Sequence, residues 1–191
     1  MGRILLGVIL GVILVPVAVL AWFQFANLPV AVADPPFPQE RLITSVPLNA
    51  RIDRELVKAP PIQPDEDNLM IGAHIYSENC AFCHGYHGKP SIVGPHMFPD
   101  APPLWEMHHH GLETMMGVSD DPPGETYWKV ANGIRLTGMP SFKSVLTETE
   151  MWQVSLLLAN ADKPLPPEAL EILNGHSSPP PATVTAPAKK H

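Results

Sequence analysis

The chain has 191 residues, a net charge of −7, 24 prolines and two cysteines. That length allows one ordinary domain with additional segments. The acidity argues against nucleic acid as a partner and against docking on anionic lipid.

The first element is apolar. Ile4 to Phe25 carries no charge, which is about the span a helix needs to cross a hydrocarbon core. Pro16 falls inside the run and is tolerated in a membrane helix. Arg3 flanks its N-terminal side, so that end is expected in the cytoplasm and the rest exported. Residues 1–27 are assigned as a single-pass anchor, with a signal peptide cut after Ala31-Val32-Ala33 as the alternative. Gly7 and Gly11 form a weak G-x-x-x-G packing signal.

Residues 28–64 hold Pro29, Pro35, Pro36, Pro38, Pro47, Pro60, Pro61 and Pro64 without a sustained apolar period. They are expected to be a semi-extended linker outside any core, with at most a helical turn from Arg51 to Lys58. The folded domain is placed at 65–166. Residues 167–191, with Pro179, Pro180, Pro181 and Pro187, are assigned to a tail that begins helical at best and ends disordered.

Within the domain, Asp65, Asp67 and Asn68 offer a cap, and Leu69, Met70, Ala73, Tyr76 and Cys80 follow at helical spacing, predicting a helix over about 67–82. A long loop rich in Gly and Pro comes next. Leu104 to Met116 is expected to hold a short helix. Another is predicted over Glu125 to Asn132, ended by Gly133. Thr147 and Glu150 make a capping box for a last helix reaching about residue 160, with Pro164 beyond it. The domain is expected to be all helix and loop.

The chemistry lies at Cys80-Ala81-Phe82-Cys83-His84, a C-x-x-C-H motif that uses every cysteine of the chain. Two thiols one helical turn apart can add to the two vinyl groups of a porphyrin, and the adjacent histidine is then held on the iron. A redox dithiol would want a βαβ context and a zinc site would want more ligands. For the second axial position, Gly138-Met139-Pro140 is the strongest candidate. Glycine permits close backbone approach and proline fixes the loop. Met107-His108-His109-His110 and Met115-Met116 are read as a solvated loop, with a copper or other metal site or a swapped sixth ligand as alternatives. His74 and His87 are expected at the surface, and His191 carries no signal.

Residues 65–165 resemble a membrane-anchored, mono-haem class I cytochrome c of bacterial type. The resemblance rests on the C-x-x-C-H motif, on Gly72 and Tyr76 before it, on Trp152 in the last helix, and on the run Asn132 to Phe142 containing Gly-Met-Pro. It implies an all-α class I fold with long loops around one haem c, a first helix crossing the last at Gly72, and His84/Met139 ligation. It further implies a proline carbonyl on the second nitrogen of His84, with Pro95 preferred and Pro90 in reserve. Arg135, Tyr127 or Trp128 would meet the propionates. The expected function is one-electron transfer by a carrier tethered to the inner membrane through residues 4–25, with its haem domain in the periplasm. The donor would be quinol-linked or a dehydrogenase, and the acceptor a terminal oxidase or reductase. A permanent cytochrome subunit of a membrane oxidoreductase is the alternative, and a haem sensor or peroxidase a further one.

Overall fold

A computed structural model describes residues 2–110 and 113–175. It divides into two compact units, one ending at Glu40 and one beginning at Arg41. The first unit contains helix α1, Gly2–Phe25, which is long and apolar enough to cross a membrane. Beyond it, Asp34 accepts the backbone N–H groups of Val30 and Ala31, closing a local turn.

The second unit is mostly helical. Helix α2 spans Glu40–Glu55. It is followed by α3, Glu66–Asn79, the single turn α4, Ala81–His84, and a 3-10 turn at Gly94–His96. Strands β1, Met107–His110, and β2, Glu113–Met116, come next. Helices α5, Pro123–Asn132, α6, Glu148–Ala159, and α7, Pro167–Leu173, complete it.

The core forms where α3 crosses α6. Helix α3 starts at Asp65, whose carboxylate accepts the Asn68 N–H at 2.9 Å. A Cβ added at Gly72 would stand 2.5 Å from the Gln153 carbonyl oxygen, so only glycine lets the two backbones pass this closely. The same crossing is tied by Gln153 Nε2, which donates to Asn68 Oδ1 at 2.8 Å. Met151 through Ala159 are all buried, the pattern of a helix enclosed on every side. Its start is the expected capping box between Thr147 and Glu150. Tyr127 of α5 stacks on Trp152, with ring centroids 4.1 Å apart and planes 7° from parallel.

Three expectations are corrected. The 28–64 segment is not a plain linker: α2 runs through it with Pro47 inside, and Ile52 is only 2% exposed. Glu55 Oε2 accepts the Trp128 indole N–H at 2.8 Å, and Arg51 lies over that ring. The start of the tail is likewise part of the core, because Ala169, Ile172 and Leu173 of α7 are buried. Residues 176–191, including the last prolines and His191, lie outside the described residues.

The helix expected over Leu104 to Met116 is an antiparallel hairpin, pairing Met107 with Met116 and His108 with Met115. Three adjacent histidines have low helix propensity. Gly117 also turns with φ 57°, its Cα against the Leu104 carbonyl, which ends the segment beside its own start. Gly117 N–H donates to Glu106 at 3.1 Å.

Candidate haem-binding site

The site begins where α3 ends. The Cys80 N–H bonds Tyr76, and Cys83 and His84 both donate to the Cys80 carbonyl, at 3.1 and 3.0 Å. Both thiols and the imidazole therefore sit on one turn. Gly85 closes it at φ 81°, a left-handed conformation that suits glycine. The Tyr76 hydroxyl donates to the Gly85 carbonyl at 2.7 Å, pinning the end of the turn to the core. Both cysteines are free thiols and half-buried. Burial, and secondarily the neighbouring Cys83, pushes the Cys80 thiol up to about 12.

The following loop folds back on this turn. Ser91 Oγ donates to the Phe82 carbonyl at 2.7 Å and accepts the N–H groups of Val93 and Gly94. Gly94 lies against the Cys83 carbonyl, where a side chain would not fit. Ala101 N–H then returns to the Gly94 carbonyl at 3.1 Å. These bonds deliver the Pro102 carbonyl to 2.8 Å from His84 Nδ1. A carbonyl only accepts, so Nδ1 carries the proton and Nε2 keeps the lone pair. Burial lowers the His84 pKa, outweighing the opposing pull of the Pro102 bond, and so favours the neutral ring. The expected partner, Pro95 or its reserve Pro90, is corrected to Pro102. Pro95 instead sits inside the 3-10 turn of the same loop.

A second loop carries Met139. After α5, Gly133 turns at φ 67° and a Cβ there would meet the Pro140 carbonyl carbon at 2.7 Å. Thr137 Oγ1 donates to the Ile134 carbonyl at 2.7 Å and accepts the Met139 N–H at 3.1 Å. Ile134 N–H closes the loop on the Met139 carbonyl at 3.2 Å. Ser141 Oγ and the Phe142 N–H fasten its far side to Ala131 and Val130. Met139 is half-buried and packs on the core cluster. The Met97 methyl lies against Gly138, linking the loop behind the cysteines to the loop that holds Met139. Met97 was not singled out from sequence, since nothing local distinguishes it from a gap-filling methionine.

The other expected positions are mixed. Trp128 is buried and its one N–H is taken by Glu55, so it is not a propionate donor. Tyr127 is committed on its ring face to Trp152, and Arg135 is exposed. His74, expected at the surface, is 9% exposed and counts with the buried residues. His87 is half-buried, edge-on to Trp105. His108 and His109 are exposed, with His109 Nδ1 3.1 Å from Thr114 Oγ1; the side chain of His110 lies outside the described set. Among the described residues, no group of three His, Cys, Asp or Glu side chains could hold a metal ion.

The donor chemistry fits a covalently held haem: two thiols and an imidazole with its free nitrogen fixed share one turn, and a thioether is presented from a braced loop. Trp105 adds a buried indole N–H, beside the Tyr76 ring, that makes no close hydrogen bond among the described residues, a donor that suits a polar group other than a protein atom. The family model described as cytochrome C oxidase, cbb3-type, subunit III matches residues 67–156. Neither a curated protein nor a solved structure matches the chain. The matched stretch runs from α3 into α6 and includes both the cysteine turn and the Met139 loop. This part of the chain is therefore a class I c-type cytochrome domain, and its cofactor is covalently bound haem c.

Proposed function

We propose that this protein is an electron carrier with one haem c, tethered to the bacterial inner membrane by residues 4–25, with its haem domain on the periplasmic side. The observation that carries this reading is the bond between His84 Nδ1 and the Pro102 carbonyl, which leaves Nε2 as the one lone pair of a neutral ring beside both thiols. Bound haem c supplies reversible one-electron iron chemistry.

The chain's residues do the rest. Cys80 and Cys83 would hold the group through thioether bonds. His84 offers Nε2, and the Pro102 bond fixes its orientation and strengthens it as a donor. Met139 would supply the second protein ligand to the iron, and its thioether would favour the reduced state. Arg135 and Tyr127 are the remaining candidates for the propionates. The partners are redox proteins, a quinol-linked or dehydrogenase donor and a terminal oxidase or reductase.

A second reading, a permanent subunit of a membrane oxidoreductase, is favoured by the family's description as an oxidase subunit. Purification in mild detergent separates the two. A carrier emerges as a single chain that is reversibly reduced and does not bind carbon monoxide. A stoichiometric complex that survives gel filtration replaces the carrier with the subunit, and carbon monoxide binding at neutral pH replaces both with a sensor or peroxidase.

A further inference from the structure

Helix α2 and the residues just after it lie outside the stretch that matches the cytochrome family, yet they are built into the haem domain. Ile52 is buried, and Glu55 takes the Trp128 N–H at 2.8 Å. Arg51 pairs with Glu55 at 3.0 Å and covers the Trp128 ring, its guanidinium carbon 5.7 Å from the centroid. The Val57 carbonyl sits against Gly124 at the first turn of α5, where a Cβ would not fit. The Glu55, Arg51 and Val57 contacts join residues 51–57 to α5, the helix that leads directly into the Met139 loop.

We infer that residues 41–57 are a strap that shortens the tether, so that the redox partner must present its docking face close to the bilayer. This rests on the reading of α1 as a retained anchor. An unfolded segment over 26–64 would span about 120 Å at the polyproline rise, whereas 26–40 spans about 47 Å at that rise and the helical residues 41–50 add about 15 Å before the first contact at Arg51. The shorter reach favours a partner embedded in or attached to the same membrane over one met far from it. The strap also raises the effective concentration of the haem domain at such a partner, because effective concentration falls steeply as a linker lengthens beyond the span it must cover.

The test uses the full-length holoprotein in nanodiscs carrying a headgroup dye that the haem quenches. Hydrogen exchange of the 48–55 amides reads the strap, and the spread of dye-to-haem distances reads the tether. Wild type is expected to protect those amides by about a hundredfold or more over an unstructured peptide, as a packed helix does, and to give a short, narrow distance distribution. Ile52→Asp combined with Glu55→Ala should remove the protection and lengthen and broaden the distances, with the haem spectrum unchanged. Wild-type amides that exchange like a free peptide would overturn the strap. Lost protection without any change in distance would overturn the tether limit. Protein recovered without residues 1–25 would overturn the anchor reading and hence the tether, while the exchange data still decide the strap.

Discussion

Gly72 of α3 and Gln153 of α6 meet backbone to backbone: a Cβ on Gly72 would stand 2.5 Å from the Gln153 carbonyl oxygen and 2.9 Å from its carbon. Neither atom is the end of a flexible side chain, so a methyl group there must push the helices apart. Gly72→Ala is expected to destabilise the domain by about 1–3 kcal/mol, the usual range for overpacking. Denaturant unfolding of the holoprotein, followed by helical circular dichroism and by the haem spectrum, measures it. An alanine variant as stable as wild type would show that the crossing is looser than this geometry.

The His84 tautomer gives a second expectation. The Nδ1 proton is held on the Pro102 carbonyl, and His84 is half-buried. In nuclear magnetic resonance of the reduced protein, that proton should exchange slowly and show contacts to residues 102 and 103. Pro95→Ala should leave it unchanged, whereas Pro102→Gly, which frees the backbone that aims the carbonyl, should speed its exchange. Slowed exchange that depends on Pro95 instead would reverse the assignment.

The difference between Pro95 and Pro102 illustrates what the sequence could convey. The cysteine turn, Gly72, Tyr76, the Thr147 capping box and the Gly-Met-Pro loop were legible because each is a local pattern with its own chemistry. A backbone carbonyl has no side-chain signature, and the loop offers several prolines. Pro102 is chosen by the Ser91 and Gly94 bonds that fold the loop. Helix α2 was hidden for a related reason. Pro47 interrupts its pattern and only Ile52 is buried, while its polar tie runs from Glu55 to Trp128, 73 residues away. The hairpin was missed because a run of histidines has no clear period, and its closure depends on Gly117 packing against Leu104.

Met97 lies against Gly138, the residue before Met139, and both methionines are thioethers near the site, so the sixth ligand can be tested directly. A weak far-red band in the oxidised spectrum is expected from methionine on ferric iron. Met139→Ala should abolish it and lower the reduction potential. Met115→Ala and Met116→Ala should leave it in place, since both lie on the hairpin strand β2. Met97→Ala should keep the band but weaken it on heating, because the variant loses packing against the loop and not the bond. Loss of the band in Met97→Ala at ambient temperature, with retention in Met139→Ala, would exchange the two roles.

The strap also predicts a pH dependence. Glu55 is held below its ordinary value of 4.5, first by the Trp128 N–H and next by its bond to Arg51, with desolvation opposing. A carboxylate whose folded pKa is depressed contributes its stability above the unfolded pKa and loses it as pH falls through the folded value. The stability difference between wild type and Glu55→Ala should therefore be constant at neutral pH and shrink below about 4.5, where carboxylates begin to protonate. Other carboxylates are shared by the two proteins and cancel in the difference. Trp128→Phe removes the larger of the two causes, so it should flatten most of this dependence when made in wild type and add little to it when made in Glu55→Ala. Denaturation midpoints of the four proteins across the acid range measure this coupling. A difference that grows toward low pH would mean that Glu55 is bound more weakly in the folded protein than in the unfolded chain, against the 2.8 Å contact with Trp128.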